Sequence, residues 1–335
     1  MTLKAENILE LARNFMESRI LLTGAELDLF TRLGRSPATA AQLAGENGLD
    51  LRSLTILLDA LSAIGLLVKD KENYRCDPGL IPFLSKDSPE SLLPMILHAS
   101  HLWKRWDKLT DIVKGIPIPA EGKLSTRSPE AMRAFIGAMH VVAAHRADSI
   151  VRQVRPGRAG SLIDVGGGPG TYTIAFLRAA AHMTATLFDR PEVIEMARER
   201  IAAAGLEDRV RFISGDFLKD ELPAGHDLAF VSAIIHQNSR KRNRELYGNV
   251  YRSLIPGGRI VIRDYVMDAD RIRPRDGAVF AVNMLAMTQG GNSYTYEEIE
   301  EDLVGAGFKK IRLRKKGDHM DALVEALKKR DVMAV

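Results

Sequence analysis

Leu162-Ile163-Asp164-Val165-Gly166-Gly167-Gly168-Pro169-Gly170-Thr171 decides the reading of this chain: an apolar strand runs into glycines and then into a helix. Glycine lets the backbone turn tightly and lets a ligand approach where a Cβ would stand, and a helix N-terminus offers unpaired amides. Asp189 closes the next apolar run, at the roughly 20-residue spacing from which a carboxylate takes ribose hydroxyls. Gly215-Asp216-Phe217 follows the third run, placed to meet an adenine edge and face. A dinucleotide enzyme would share the first two features, but it spaces its glycines G-x-G-x-x-G to seat a pyrophosphate. Here the glycines are Gly166, Gly168 and Gly170, and Pro169 lacks an amide. Asp164, on the strand itself, disfavours phosphate and suits a ligand that carries an ammonium and a sulfonium. Two local readings stay open: Asp189 as a helix N-cap ahead of Pro191, and Asp216 as a turn carboxylate.

Outward from this loop, strand and helix alternate. Ser161–Val165, Thr186–Phe188, Val210–Ser214, Leu228–Ser232 and Arg259–Arg263 are apolar runs of strand length with helical segments between them, the pattern of parallel βαβ units. Lys309–Arg314 and Asp321–Leu327, joined by a short turn, read as an antiparallel hairpin on the sheet edge. The fold class is therefore α/β, a doubly wound Rossmann-like sheet, with a mainly α part before it. In that earlier part Leu54, Leu57, Leu58, Leu61 and Ile64 form a helical stripe closed by Gly65. Leu66–Val68 and Tyr74–Cys76 make a small hairpin, which completes a winged-helix pattern. A Pro/Gly-rich loop at 115–122 precedes a long amphipathic helix from Pro129 to about Val154.

The chain has 335 residues, 46% hydrophobic and 27% charged, the composition of an ordinary globular protein with room for two domains. No apolar run approaches the ~18 residues of a membrane span, and Met1–Glu10 is polar rather than signal-like. A single cysteine, Cys76, excludes an internal disulfide and any cysteine-based metal cluster, and points to the cytoplasm. With 47 basic and 43 acidic residues, the net charge of +4 is too small to argue for a nucleic-acid partner. No histidine pair has metal-ligand spacing beside acids, so no metal is expected.

Asp-Val-Gly-Gly-Gly-Pro-Gly (164–170), Phe188-Asp189-Arg190-Pro191-Glu192-Val193, Ser214-Gly215-Asp216-Phe217 and Leu254-Ile255-Pro256-Gly257-Gly258 resemble the class I S-adenosylmethionine methyltransferases. More narrowly they resemble the small-molecule O-methyltransferases related to caffeate, acetylserotonin and bacterial polyketide O-methyltransferases, over nearly the whole chain. Phe15–Arg19, Ala25–Phe30 and Leu57–Leu61 look like that family's winged-helix dimerisation domain, and His101–Trp106 like its segment leading to the acceptor pocket. The resemblance implies a dimerisation domain at 1–100, a homodimer, and a methyltransferase domain at 101–335, with an acceptor-pocket segment at 101–155 and an α/β core at 156–335. It implies S-adenosylmethionine as cofactor, S-adenosylhomocysteine as product, and a small-molecule acceptor, with neither nucleic acid nor membrane as partner. The cofactor residues would be Asp164, Gly166, Gly168, Gly170, Asp189, Arg190, Asp216, Phe217 and Ser232.

The family's general base is a histidine just after the fourth strand of the α/β core, where this chain has His236 in Ser232-Ala233-Ile234-Ile235-His236-Gln237-Asn238. A hydroxyl is a poor nucleophile while protonated, and a neutral imidazole, with an ordinary pKa near ~6.5, can take the proton as the bond forms. Two departures stand out. The usual Asp-Trp after the base is Gln237-Asn238, and Ser293 falls where many relatives carry a glutamate that orients the histidine. Asn283, Tyr294 or the substrate itself would then take over part of the role, and Asn283 is the second catalytic candidate. An apolar acceptor pocket would draw on Trp103, Trp106, Phe135, Met139, His140, Phe280, Met284 and Met287, all of which fit plain core packing as well. Arg240–Arg244, Arg271, Arg273 and Arg275 form either a solvated face or a surface welcoming an acidic acceptor.

Two other functions compete. A winged-helix DNA-binding regulator would need cations on its recognition helix, yet Arg52 is the one basic residue between Ser36 and Leu66. A cofactor-binding homologue with other chemistry is kept open by the altered residues around His236.

Overall fold

The computed structural model describes residues 4–117 and 129–330; of the loop expected at 115–122, positions 118–122 lie outside the described residues. The described chain falls into two compact units, one of residues 4–104 with 129–141 and one of 105–117 with 142–330.

The first unit runs α1 (Ala5–Arg13), α2 (Phe15–Glu26), α3 (Leu29–Arg35), β1 (Ala38–Thr39), α4 (Ala40–Asn47), α5 (Leu51–Ala63), β2 (Leu67–Asp70), β3 (Asn73–Cys76), α6 (Ile81–Leu84) and α7 (Leu93–Trp106). Its small antiparallel sheet has the order β1-β3-β2. Local chemistry sets the helix boundaries. Thr39 and Gln42 form a capping box at α4, and the Asp50 carboxylate accepts from the Ser53 amide at 2.8 Å to start α5. At the other end of α5 the Leu66 amide bonds back to Leu61 and that of Gly65 to Ser62, with Gly65 at φ 82°, a Schellman stop.

The apolar residues of α5 divide between core and surface. Leu54, Leu58 and Leu61 are buried inside this unit's own core, against Phe30, Leu33, Leu43 and Tyr74, while Leu57 and Ile64 are half-buried and Leu51 and Ile56 of the same helix are exposed. A larger row of exposed apolar side chains lies at the N-terminus. None of α1 is buried, and Ile8, Leu9, Leu11, Phe15 and Met16 are each more than half exposed. Cys76 is buried in the same core, and burial pushes its thiol up to about 11, which keeps it protonated and inert.

The second unit continues with α8 (Leu109–Val113), the later part of α9 (Pro129–Val154), β4 (Ser161–Val165), α10 (Thr171–Ala179), β5 (Thr184–Asp189), α11 (Pro191–Ala203), β6 (Val210–Ser214), β7 (His226–Ser232), α12 (Arg240–Ser253) and β8 (Leu254–Asp264). It closes with β9 (Val266–Met267), α13 (Arg275–Met287), β10 (Tyr294–Thr295), α14 (Tyr296–Gly305), β11 (Lys309–Lys315) and β12 (Ala322–Leu327). The main sheet has the order β11-β12-β8-β7-β4-β5-β6. Pairings from β8 to β6 are parallel, and β12 and β11 add an antiparallel hairpin at the edge, as the sequence pattern suggests. Three strands begin earlier than their apolar runs: β5, β7 and β8 include Thr184, His226 and Leu254, because backbone pairing extends beyond the continuous apolar run.

Alternation along the strands divides the core in two. Leu162, Leu187, Leu228, Phe230 and Val261 face α9, α10 and α11, while Ile163, Val165, Val231, Ile260 and Ile262 face α12 and α14. Arg240 of α12 reaches Asp302 of α14 at 2.7 Å and also Glu301, and Arg244 reaches Asp302 at 3.2 Å. These two arginines tie helix to helix, and Arg271 pairs with Glu298, so the idea of a basic welcome for an acidic acceptor loses its main residues. Among the described residues no helix is long and apolar enough to cross a membrane.

Candidate active site

Between β4 and β7 the chain reverses its direction of growth across the sheet, and open α/β sheets place ligands at such a point, beyond the C-terminal strand ends. The glycine loop stands there. Gly166 has φ 68°, a backbone conformation that favours glycine, and a Cβ on it would come within 2.5 Å of the Ile234 side chain, which would have to move. Gly168, at φ 54°, has no atom within 4 Å of where its Cβ would be, which leaves its backbone open to a ligand. Its amide donates to Asp189 Oδ2 at 2.8 Å, and the Arg190 amide donates to Oδ1 at 2.7 Å. The Asp189 carboxylate thus braces the loop from the end of β5. Burial raises its pKa, and the two amides temper that rise.

Asp189 does not cap α11: the N-cap position is Arg190, with no side-chain bond to the helix. Arg190 lies within electrostatic range of both Asp189 and Asp216, so the structure gathers these three around the loop. Asp216 accepts from the Leu218 amide at 3.0 Å and pairs with Lys219 at 3.1 Å, a turn carboxylate at the mouth of the site. Phe217 is half-buried beside Gly166. Asp164 is fully buried under the loop. It accepts from Thr173 Oγ1 at 2.7 Å, and burial, with a smaller push from Asp189, raises its pKa to about 7.

On the other side of the reversal, His236 sits in a single 3₁₀ turn, Ile235–Gln237, just past β7. Its Nδ1 lies 2.9 Å and 3.0 Å from the two carboxylate oxygens of Asp264, the last residue of β8. A carboxylate accepts, so Nδ1 carries the proton and Nε2 is left as the basic nitrogen. Asp264 is itself fixed by the Tyr265 amide at 2.8 Å. The Phe280 ring packs edge-on against the imidazole at 4.8 Å, and the His236 carbonyl accepts from the Asn292 amide at 2.8 Å. This arrangement corrects the sequence reading. Ser293 has no part in orienting the histidine, since its hydroxyl donates to the Gly277 carbonyl at 2.7 Å. The orienting carboxylate is Asp264, contributed by the neighbouring strand. An acidic residue ending the run after Arg259–Arg263 was the available signal.

Tyr294 and Asn283 are each engaged by other groups. Tyr294 donates its hydroxyl to the Asn238 carbonyl, and burial pushes its pKa up to about 12. Asn283 accepts the Trp106 indole N–H on its Oδ1 at 3.0 Å, which leaves its amide N–H groups free to donate. Helical spacing puts Phe280, Asn283, Met284 and Met287 of α13 along one side, so His236, Phe280, Asn283 and Trp106 are brought together. Met284 is buried and Met287 half-buried. The other pocket candidates belong to the first unit. There Trp103 stands 6.5 Å from Phe15 with the Arg19 guanidinium 5.9 Å over its ring, and Phe135 meets His98 at 5.0 Å. Met139 and His140 are half-buried on α9. Ser232, at the end of β7, accepts from Arg263 at 3.1 Å.

Comparison with known proteins agrees with this geometry. The model of the O-methyltransferase domain matches residues 112–309, more than half of the chain, and that of the O-methyltransferase dimerisation domain matches residues 9–78. The chain belongs to the O-methyltransferase family. The methyltransferase is 32% identical, over 91% of its length, to the tetracenomycin polyketide synthesis 8-O-methyltransferase of Streptomyces glaucescens, of which 92% is covered. It is 29% identical, over 90% of its length, to the 3-hydroxy-5-methyl-1-naphthoate 3-O-methyltransferase of Streptomyces sahachiroi, of which 89% is covered. The solved structure of human N-acetylserotonin methyltransferase in complex with S-adenosylmethionine superposes with a TM-score of 0.84 at 25% identity, covering 98% of this chain and 99% of that one. The methyltransferase is accordingly an S-adenosylmethionine-dependent enzyme with a dimerisation domain.

Proposed function

We propose that this enzyme methylates a hydroxyl of a small aromatic or polyketide-like molecule, with His236 as general base oriented by Asp264. The observation that carries the reading is the His236–Asp264 pair beside the glycine loop. When bound, S-adenosylmethionine supplies an electrophilic methyl group on a sulfonium. The residues fit that cofactor: an open backbone at Gly168, carboxylates at Asp189 and Asp216 for the nucleoside, and a buried acid, Asp164, toward its cationic end. His236 takes the hydroxyl proton on Nε2, and Asp264 stabilises the imidazolium that results. Phe280, Met284 and Met287 supply an apolar wall for a flat acceptor, and Trp106, held by Asn283, supports it. A screen with labelled methyl donor against phenols, naphthoates and polycyclic polyketides tests this; transfer only to amines or carbon centres would overturn it.

Cofactor placement has its own test. Asp189→Ala should weaken S-adenosylhomocysteine binding by roughly 1–3 kcal/mol, through lost charged hydrogen bonds and a loosened Gly168. Unchanged affinity by calorimetry would show that the cofactor lies elsewhere.

Assembly as a homodimer through residues 1–100 is part of the same proposal, with residues 101–335 as the methyltransferase domain. The support is the exposed row Ile8, Leu9, Leu11, Phe15 and Met16 within a dimerisation-domain match. Sedimentation at micromolar concentration should give a dimer, and Leu9→Glu with Phe15→Glu should give a monomer. A monomeric wild type would refute it. The buried, protonated thiol of Cys76 fits a reducing compartment, the cytoplasm.

A further inference from the structure

Arg263 precedes Asp264 on β8 and therefore faces the opposite side of the sheet, away from His236. It is only 4% exposed. Its Nη1 donates to Ser232 Oγ at 3.1 Å, and its guanidinium lies 5.3 Å from the centre of the Tyr172 ring. Its Nε is sealed from solvent and has no hydrogen-bond partner, and among the described residues no carboxylate pairs with it. Tyr172, the second residue of α10, is 6% exposed and presents a sealed hydroxyl beside Ser232, with no acceptor in place for its proton. Arg146 of α9 adds a second positive charge within electrostatic range of that phenol.

Both unsatisfied groups are donors. A buried guanidinium with no counter-charge and a buried phenol with no acceptor are each costly, and a single negatively charged acceptor would satisfy both. The cluster lies at the ligand edge of the sheet, at the ends of β7 and β8 and one residue into the helix that follows the glycine loop. A planar carboxylate suits it, because a guanidinium offers two parallel donors.

We propose that Arg263 and Tyr172 form a carboxylate subsite that receives the α-carboxylate of the cofactor's methionine end. The inference rests on the placement of the cofactor over the Gly166–Gly170 loop. In that placement the cationic groups of the ligand meet Asp164 while its one anionic group meets Arg263, so the site matches a zwitterion sign for sign. An acidic acceptor is the other source of a carboxylate, and the experiment separates the two.

The test compares S-adenosylhomocysteine with methylthioadenosine, which lacks the amino-acid portion, by calorimetry on the whole enzyme. Arg263→Met should weaken S-adenosylhomocysteine about ten- to hundredfold and leave methylthioadenosine within about twofold. Tyr172→Phe should weaken S-adenosylhomocysteine by roughly two- to tenfold, and Arg263→Lys should restore most of the affinity lost in Arg263→Met. Thermal melting of each free variant checks folding; if Arg263→Met fails to fold, Tyr172→Phe and Arg263→Lys carry the comparison. Equal weakening of both nucleosides would mean a structural role and overturn the proposal. So would unchanged binding of both, together with a raised KM for carboxylate-bearing acceptors alone, which would assign Arg263 to the acceptor. A wild type that binds neither nucleoside would refute the cofactor placement itself, and the subsite with it.

Discussion

Replacing His236 with alanine is expected to cut turnover by roughly 10²–10⁴ and leave cofactor affinity unchanged, because the residue loses a positioned proton acceptor and touches nothing in the glycine loop. Asp264→Asn should cost roughly 10–100-fold: an amide can accept from Nδ1–H but does not stabilise the imidazolium, and it can turn its NH₂ toward the ring and force the wrong tautomer. The two residues act as one unit, so the double variant should be no slower than His236→Ala alone. Near-normal turnover of His236→Ala, with chemistry shown to be rate-limiting, would move the assignment to positioning alone.

The second large effect concerns Asp164 and stability. Its folded pKa, about 7, stands above the ordinary value of 3.8, and the first cause is burial. Between about pH 4 and 7 the unfolded chain releases this proton while the folded chain keeps it, so the free enzyme should lose stability as pH rises through that window and level off above it. At about 1.4 kcal/mol per unit, the loss is on the order of 4 kcal/mol. Asp164→Asn keeps an oxygen for the Thr173 hydroxyl and removes the titration. Denaturant unfolding should therefore find the variant gaining on the wild type by a few kcal/mol between pH 4 and 8. Parallel pH profiles for the two proteins would show that Asp164 is ionised in the fold.

The order of apolar runs was enough to read the parallel sheet, its antiparallel edge and the loop that opens α10, because buried strands and glycine turns write themselves in consecutive residues. His236 was legible for the same reason, as a residue just past a strand. Its partner was not: Asp264 is a neighbour only because β8 lies beside β7, and register across a parallel pair does not show in spacing. The glutamate missing at Ser293 drew attention to the wrong place. The α5 stripe was ambiguous for another reason, since an amphipathic face looks the same whether it packs on its own unit or on a second copy. The exposed row on α1 and α2 was legible in part, because the N-terminal helix carries more apolar surface than a small domain can hide.

The order of the sheet also has a consequence for how the enzyme fails. Every proposed nucleoside contact hangs from β4, β5 or β6, and the histidine with its carboxylate hangs from β7 and β8. Those two groups of strands meet along one seam, the pairing of Leu162–Val165 with Leu228–Val231. Loosening on the β8 side, where the edge hairpin and α14 pack, disarms the base before it disturbs the grip on the nucleoside. A damaged or heat-stressed molecule of this kind keeps its nucleoside contacts but loses both the base and the Arg263 contribution to the grip on the methionine end, so it is unproductive and holds the methyl donor more weakly.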